Sequence, residues 1–141
     1  MGLGVDGGAS NEAGELNLEL RAALLHARLR GGPTALTARD ALRLATSEGA
    51  RCLGREGELG TLAPGFLADI ALWRVDEFTH AAIEDPVAAL VFGAPRHVDT
   101  LLVGGRVVVE DGHLTRVDEL QLARGLELQS ARLRDLAKAP A

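Results

Sequence analysis

The chain has 141 residues, of which 47% are hydrophobic and 25% charged, and its formal net charge is −5 at pH 7. This length and this composition are typical of a single water-soluble globular domain, and they argue against wholesale disorder. The mildly acidic balance offers no basic surface, so we expect neither nucleic acid nor an anionic membrane as a partner.

Three further features bear on the location of the protein. Cys52 is the only cysteine, which excludes an internal disulfide and fits a reducing compartment. No apolar run approaches the roughly 18 residues of a membrane span. The first twelve residues lack the basic and apolar regions of a signal peptide. We therefore expect a cytoplasmic protein.

The first half of the chain is predicted to be helical. Leucines and alanines recur at helical spacing over residues 15–29, and their wide apolar face indicates a helix packed against a sheet. The Gly-Gly-Pro run at 31–33 ends this helix. Thr37 and Asp40 have the spacing of a capping box at the start of a second helix, for which Gly49 is a suitable end.

Strands and tight turns are predicted for the second half. Residues 69–75 form a largely apolar run that is typical of a buried strand. Gly104-Gly105 and Asp111-Gly112 are two-residue connections suited to primed hairpin turns, and the segments around them make a three-strand meander. The strands of this meander are predicted at residues 98–103, 106–110 and 113–116.

From Asp118 onward the sequence returns to helical spacing. Gly125 lies inside this predicted helix and lowers its stability by about 1 kcal/mol relative to alanine. Charged and polar residues separate the members of a single apolar stripe. We call this set the leucine stripe; it comprises Leu122, Leu126, Leu133 and Leu136.

The histidines and the cysteine form no self-sufficient metal motif, because no His-x-His, His-x3-His or Cys-x2-Cys occurs. One histidine is assigned to the face of the first helix, and the other three fall in loops or turns, where a surface position is expected. Cys52 has no histidine near it in sequence and is expected to be a buried small hydrophobic residue. The helical histidine is His26, and the loop histidines are His80, His97 and His113.

Asp6 stands at the end of a short segment, residues 2–5, that is predicted to form a strand. Two interpretations remain open. Asp6 caps a turn, or it lies at the C-terminal end of a buried strand, which is the catalytic position in an α/β barrel. The neighbouring glycines do not make a phosphate-binding loop, because no Lys-Ser or Lys-Thr pair follows them and an aspartate would repel phosphate.

Several ordered motifs between residues 1 and 116 resemble the amidohydrolase superfamily. The most familiar is Gly-Thr-Leu-Ala-Pro-Gly-Phe-Leu-Ala-Asp-Ile at 60–70, which is similar to the family pattern G-x-L-x-x-G-x-x-A-D-[ILV]. The branch with the greatest resemblance holds nucleobase and triazine deaminases, including 8-oxoguanine deaminase and atrazine-type hydrolases. The other motifs lie at residues 2–11, 37–46, 49–50, 85–86 and 98–108.

This resemblance implies an α/β fold made of three parts. Residues 1–58 would be the last βα units of a TIM-type (β/α)8 barrel, the C-terminal end of a metal-dependent hydrolase domain. Residues 59–116 would be the C-terminal part of a small composite β-sandwich, and residues 117–141 a C-terminal helix. The parent enzyme would hydrolyse C–N bonds, deaminating a nucleobase-like or triazine ring.

The resemblance also implies that most of the metal site lies outside this chain. The family's ligands include a His-x-His motif and a further mid-chain histidine, which this sequence lacks. Zn²⁺ or Fe²⁺ is expected in the parent enzyme and not in this chain alone, which should be inactive. The chain would be a truncated gene product, a cloned fragment or half of a split enzyme that lacks its amino-terminal portion.

A non-catalytic module that associates with itself as a homo-oligomer is the alternative. It follows from the same missing strands, because open sheet edges and an uncovered apolar helix face tend to pair with another surface.

Within the family pattern, Asp6 is the last metal-site residue. Its carboxylate would orient a metal-bound water, accept its proton and pass that proton to the leaving amine. Ser10 and Asn11, in the following loop, would lie near the substrate pocket, although the same pair also suits a helix N-terminal turn. Structural roles, in turns and at a strand start, are expected for Gly60, Pro64, Gly65 and Asp69.

Overall fold

Four helices packed together, a four-stranded sheet and a long final helix make up the described chain, residues 1–8, 10–11, 14–93 and 97–138 of a computed structural model. The helices are α1 (Leu16–Gly31), α2 (Ala38–Ala45), α3 (Ser47–Cys52), α4 (Pro86–Gly93) and α5 (Glu119–Lys138). The strands are β1 (Ile70–Leu72), β2 (Thr100–Val103), β3 (Arg106–Glu110) and β4 (His113–Leu114).

Helix α2 begins with the predicted capping box, which is confirmed. The Thr37 hydroxyl accepts a hydrogen bond from the Asp40 N–H, and the Asp40 carboxylate accepts one from the Thr37 N–H, both at 3.1 Å. These bonds to Thr37, together with the nearby Arg43 guanidinium, hold the pKa of the Asp40 carboxyl below its ordinary value. The cap therefore favours the ionised form of Asp40.

The predicted end of this helix at Gly49 is wrong, because α2 stops at Ala45. Thr46 makes the break. Its hydroxyl donates to the Leu42 carbonyl at 2.8 Å, and its backbone, at φ −119° and ψ −97°, leaves the helical region. Side-chain bonds of this kind compete with the helix's own hydrogen bonds. Helix α3 begins at the next residue, Ser47, and Gly49 lies inside it.

The core lies where α1, α2 and α4 meet. Only the row of α1 that holds Leu20 and Leu24 packs against these two helices, so the prediction that the whole wide face packs against a sheet is wrong for the described chain. Leu18, Leu25 and Leu29 form the other row of that face and are exposed, so the apolar face read from the sequence is wider than the surface that α2 and α4 cover. The buried members of this core are Leu20, Leu24, Ala41 and Val91.

The sheet has the strand order β1-β2-β3-β4, with every neighbouring pair antiparallel. The predicted meander is confirmed. Both residues of each connecting turn, 104–105 and 111–112, have positive φ, as primed hairpin turns require. The strands are shorter than expected at two places: β1 covers three residues of the predicted 69–75, and β4 ends at Leu114.

Residues 2–5 are not in a strand, so that prediction is wrong for this structure. The segment lies against α2, where the Leu3 N–H donates to the Leu44 carbonyl at 3.3 Å. A strand needs a hydrogen-bonded neighbour. None of the four strands in the described ranges pairs with this segment.

Helix α5 confirms the helix predicted from Asp118. The Asp118 carboxylate accepts the Gln121 N–H at 3.0 Å and its carbonyl accepts the Leu122 N–H at 3.0 Å, which starts the helix. None of the described residues of α5 is buried. Residues 139–141, the end of the predicted helical segment, lie outside the described residues. Among the helices described, none has the length and apolarity to cross a bilayer.

Candidate functional site

Asp6 occupies an exposed turn after the 2–5 segment. Its backbone has φ = 63°, a left-handed conformation that aspartate tolerates better than most residues. Its Oδ1 accepts a hydrogen bond from the Gly7 N–H at 2.8 Å. None of the ion pairs in the described ranges involves Asp6. The structure thus agrees with both interpretations of Asp6, because the carboxylate caps a local N–H and is also accessible to solvent.

The loop that follows carries the two predicted pocket residues. The N–H groups of Ser10 and Asn11 both donate to the Gly7 carbonyl, at 2.9 and 3.0 Å, so the loop closes into a turn. The Asn11 side chain is engaged, because its Nδ2 donates to Glu19 Oε1 at 3.2 Å and its Oδ1 accepts the Gly14 N–H at 3.4 Å. Asn11 thus ties the loop to α1, while Ser10 is exposed.

The described residues do not assemble a metal site around Asp6. No group of three His, Cys, Asp or Glu side chains able to hold a metal ion occurs in these ranges. Zinc in proteins takes three or four protein ligands, and one carboxylate does not fit that requirement. A metal site at Asp6 needs ligands from another polypeptide segment.

His80 corrects the expectation that all three loop histidines lie at the surface. His26, His97 and His113 are exposed, but His80 is only 3% exposed. Its ring lies so close to Gly93 that a Cβ there would be 2.5 Å from His80 Cδ2. The buried Nε2 has no hydrogen-bond partner in the described chain. This packing depends on Gly93 at the end of α4, thirteen residues away in sequence, which explains why local patterns missed it.

Cys52 is exposed, which contradicts the expectation of a buried thiol. It is the last residue of the short helix α3, and only Ala50 of that helix is buried. A Cβ on Gly2 would lie 3.4 Å from the Cys52 sulfur, so the thiol borders the amino-terminal segment. The six-residue helix has too few turns to bury both residues.

The 60–65 loop lies against the junction between α2 and α3. Gly60 has φ +77°, and a Cβ there would be 2.6 Å from the Thr46 carbonyl oxygen and 2.9 Å from Ser47 Cα. Pro64 and Gly65 are the central residues of a turn closed by a hydrogen bond from the Phe66 N–H to the carbonyl of residue 63 at 3.2 Å. Proline followed by a positive-φ glycine is the pattern of a type II turn.

Asp69 lies directly before β1 and connects it to the first hairpin. Its Oδ1 accepts the Gly104 N–H at 2.7 Å, and the neighbouring Ala68 carbonyl accepts the Gly105 N–H at 2.9 Å. These two bonds join the strand start to a tight turn whose donors would otherwise lack a partner. The geometry is that of a structural carboxylate.

The aspartate of the 85–86 motif, to which the sequence assigned no structural role, links two helices. Asp85 Oδ1 accepts the Val87 N–H at 3.0 Å at the start of α4 and pairs with Arg39 of α2 at 3.1 Å. The signal was present, because aspartate followed by Pro86 is the N-cap and first-turn pattern of a helix.

Residues 1–108, which include Asp6 and its loop, match the model of the family described as amidohydrolase family. The chain belongs to the amidohydrolase family. The resemblance found in the sequence motifs is thereby confirmed.

Curated relatives of this amidohydrolase include two kinds of deaminase. The 8-oxoguanine deaminase of Pseudomonas aeruginosa is 45% identical over 118 residues, which are 84% of this chain and 26% of that protein. The 5-methylthioadenosine/S-adenosylhomocysteine deaminase of Desulforudis audaxviator is 42% identical over 135 residues, 94% of this chain and 31% of that protein. The chain spans about a quarter to a third of the relatives it matches.

Solved structures show the same partial correspondence. An adenosine deaminase from Xanthomonas campestris with bound zinc matches at a TM-score of 0.90 and 28% identity, over 95% of this chain and 31% of that one. The zinc complex of atrazine chlorohydrolase from Arthrobacter aurescens matches at 0.77 and 36% identity, over 84% of this chain and 27% of that one. The amidohydrolases that this α/β chain resembles therefore include zinc-bound enzymes.

Proposed function

We propose that this chain is the carboxyl-terminal portion of a metal-dependent amidohydrolase that deaminates a nucleobase-like or triazine ring. The observation that carries the proposal is the family match over residues 1–108, combined with identities above 40% to two named deaminases. In this proposal residues 1–58 complete a (β/α)8 barrel, residues 59–116 belong to a β-sandwich, and residues 117–141 are the terminal helix.

Asp6 is the residue of this chain that takes part in the reaction. An unpaired carboxylate can orient a water molecule, accept its proton and return that proton to a leaving amine. Zinc or iron bound with the help of Asp6 would make the water acidic enough for this at neutral pH. Ser10 and Asn11 border the substrate; the bond from Asn11 to Glu19 supports a role in holding the Asp6 loop against α1.

The chain alone is inactive in this proposal, because it offers one carboxylate where a metal site needs three or four ligands. We call the part of the D. audaxviator deaminase that lies outside its match to this chain the complementary portion. Any activity of this chain depends on such a portion.

The test is a chimeric enzyme in which this chain replaces the matched stretch of the D. audaxviator deaminase. Asp6→Asn should reduce the turnover of 5-methylthioadenosine by about 10²- to 10⁴-fold, the usual contribution of a general base. Asparagine also tolerates a positive φ and can still accept the Gly7 N–H, so folding should be unchanged. Ammonia release measures turnover, and circular dichroism checks the fold.

A Glu56→Gln chimera serves as the matched control, because it neutralises an exposed carboxylate that has no ion pair among the described residues and that the proposal does not place at the substrate. It should keep turnover within about tenfold of the unmodified chimera, a loss of no more than about 1.4 kcal/mol in the barrier. Near-normal turnover in the folded Asp6→Asn chimera would defeat the assignment of Asp6.

A second candidate is the non-catalytic interaction module. The exposed leucines of α5 carry this candidate, because an uncovered apolar helix face tends to pair with another surface. The two candidates differ in whether the partner supplies the remaining metal ligands.

A further inference from the structure

The chain exposes far more surface than a compact protein of its mass. Its accessible surface is 10447 Å², whereas a compact monomer of 14.8 kDa is expected to expose about 7,000 Å². The excess, about 3,500 Å², is several times the roughly 800 Å² that each partner contributes to a standard protein interface. An excess of this size is typical of a permanent interface that lacks its other side.

Helix α5 carries the most continuous part of this surface. The four leucines of the leucine stripe are between 60% and 71% exposed. A shallow groove runs beside Leu122 and Leu126, bounded by Gly125 and by the 116–118 segment. Gly125 has nothing within 4 Å of its would-be side chain. An apolar ridge beside an open groove is the shape of a helix-packing surface.

The start of α5 is fixed to the sheet, so this surface is held in a defined orientation. Glu119 accepts the Leu114 N–H of β4 at 2.9 Å and pairs with His113 Nδ1 at 3.2 Å. The Asp118 carboxylate caps the first turn of α5 and so stabilises the helix at the same end. A preorganised surface loses less conformational entropy when it binds.

The length of the related enzymes indicates what covers α5. The match to the X. campestris adenosine deaminase includes 95% of this chain at a TM-score of 0.90, so most of α5 has a counterpart there. About two thirds of that enzyme lies outside the match. A body of that size can cover an excess of about 3,500 Å², whereas a single helix paired with α5 cannot.

A second copy of the chain fits α5 less well. Leu122, Leu126, Leu133 and Leu136 lie at coiled-coil spacing, but a polar Gln129 occupies the central position of the seam. The residues flanking the seam include Ala123, Ser130 and Arg132, which offer no pair of opposite charges to a copy of the same helix.

We propose that the leucine stripe and the adjoining groove dock against the part of the amidohydrolase fold that this chain does not match. This inference rests on the proposed function and names its partner: a polypeptide equivalent to the complementary portion, either continuous with this chain or separate from it. Docking covers the stripe and brings the segment that bears Asp6 to the remaining ligands.

The test co-expresses the full chain with the complementary portion and compares two double variants. Leu126→Lys with Leu133→Lys alters the stripe, and Leu120→Lys with Leu128→Lys alters exposed leucines on the other side of α5. Lysine and leucine have similar helix propensities, so α5 stays helical in both. The stripe variant should lose affinity about 100-fold or more, the value of two buried leucines, while the control binds as the unmodified chain does.

Hydrogen–deuterium exchange supplies a second readout that does not need two separately folded polypeptides. In the chimera, α5 should be protected from exchange, and the stripe variant should abolish that protection while the control keeps it. Equal binding by the stripe variant and the control, or a homodimer that excludes the complementary portion, would overturn the proposal.

Binding and catalysis separate this inference from the proposed function. A complex that depends on the stripe but releases no ammonia would retain the docking surface and remove the deaminase assignment. If the stripe variant still deaminates and still binds the complementary portion as the unmodified chain does, the deaminase assignment is retained and the docking surface is removed.

Discussion

Asp40 is a side chain whose ionisation bears directly on the fold. Hydrogen bonds from Thr37, and then the Arg43 guanidinium, lower its pKa in the folded chain. A carboxyl with a folded-state pKa below its unfolded value stabilises the fold above the unfolded pKa, and this contribution is lost as pH falls through the folded pKa. The capping box should therefore weaken only in acid.

Asp40→Asn should make the chain less stable at about pH 7, and the difference from the unmodified chain should shrink as the pH falls below 3.8, the ordinary pKa of the carboxyl. Urea unfolding followed by circular dichroism at several pH values measures it. Asp135→Asn, which removes an exposed carboxylate of α5 that has no ion pair in the described chain, is the control and should change little. A difference that stays constant with pH would contradict the role of the ionised cap.

Features that are set by residues only a few positions apart could be predicted from the sequence. Thr37 and Asp40 are three residues apart, and each hairpin turn is set by two adjacent residues, so sequence alone identified them. His80 and Cys52 were assigned wrongly because their exposure depends on how α4 and α3 pack. The strain at Asp6 was also invisible, since nothing in residues 2–8 requires a positive φ at an aspartate.

At the scale of elements, the 60–65 loop lies close against the α2–α3 junction. Gly60 approaches backbone atoms there, while Gly65 has a similar positive φ but open space around it. At Gly60 a side chain would meet both a steric and a conformational obstacle, whereas at Gly65 it would meet only the conformational one. Backbone atoms within 3 Å cannot move aside as a flexible side chain would.

Gly60→Ala should destabilise the chain by more than Gly65→Ala, because it combines conformational strain with a backbone clash. Strain alone should cost about 1–2 kcal/mol, and the clash should add about 1–3 kcal/mol. Urea unfolding of both variants gives the comparison. Equal losses would show that the loop does not lie against Thr46 as the structure has it.

Element boundaries followed the division between local and distant causes only in part. The start of α2 and the strand β3 were predicted where the structure has them, because caps and turns fix them locally. The early end of α2 came from a bond of Thr46 to the preceding turn. Residues 2–5 had a strand-like composition, but a strand also requires a pairing partner, which sequence composition does not supply.

The whole molecule has a small core for its length. Among the described residues only Leu24 and Val91 are large side chains that are fully buried, while leucines on α1 and α5 remain exposed. A chain with this much uncovered apolar surface gains most of its remaining stability from whatever covers that surface. The family membership and the excess surface thus lead to the same account, in which this chain contributes Asp6 to a site completed elsewhere.

Metal content tests that account most directly. Elemental mass spectrometry without chelators should find less than about 0.1 zinc or iron per molecule of the chain alone, because one carboxylate does not hold the metal. The complex with the complementary portion should contain about one metal ion, and its Asp6→Asn variant clearly less. About one ion per molecule of the isolated chain, or an unchanged content in the Asp6→Asn complex, would contradict it.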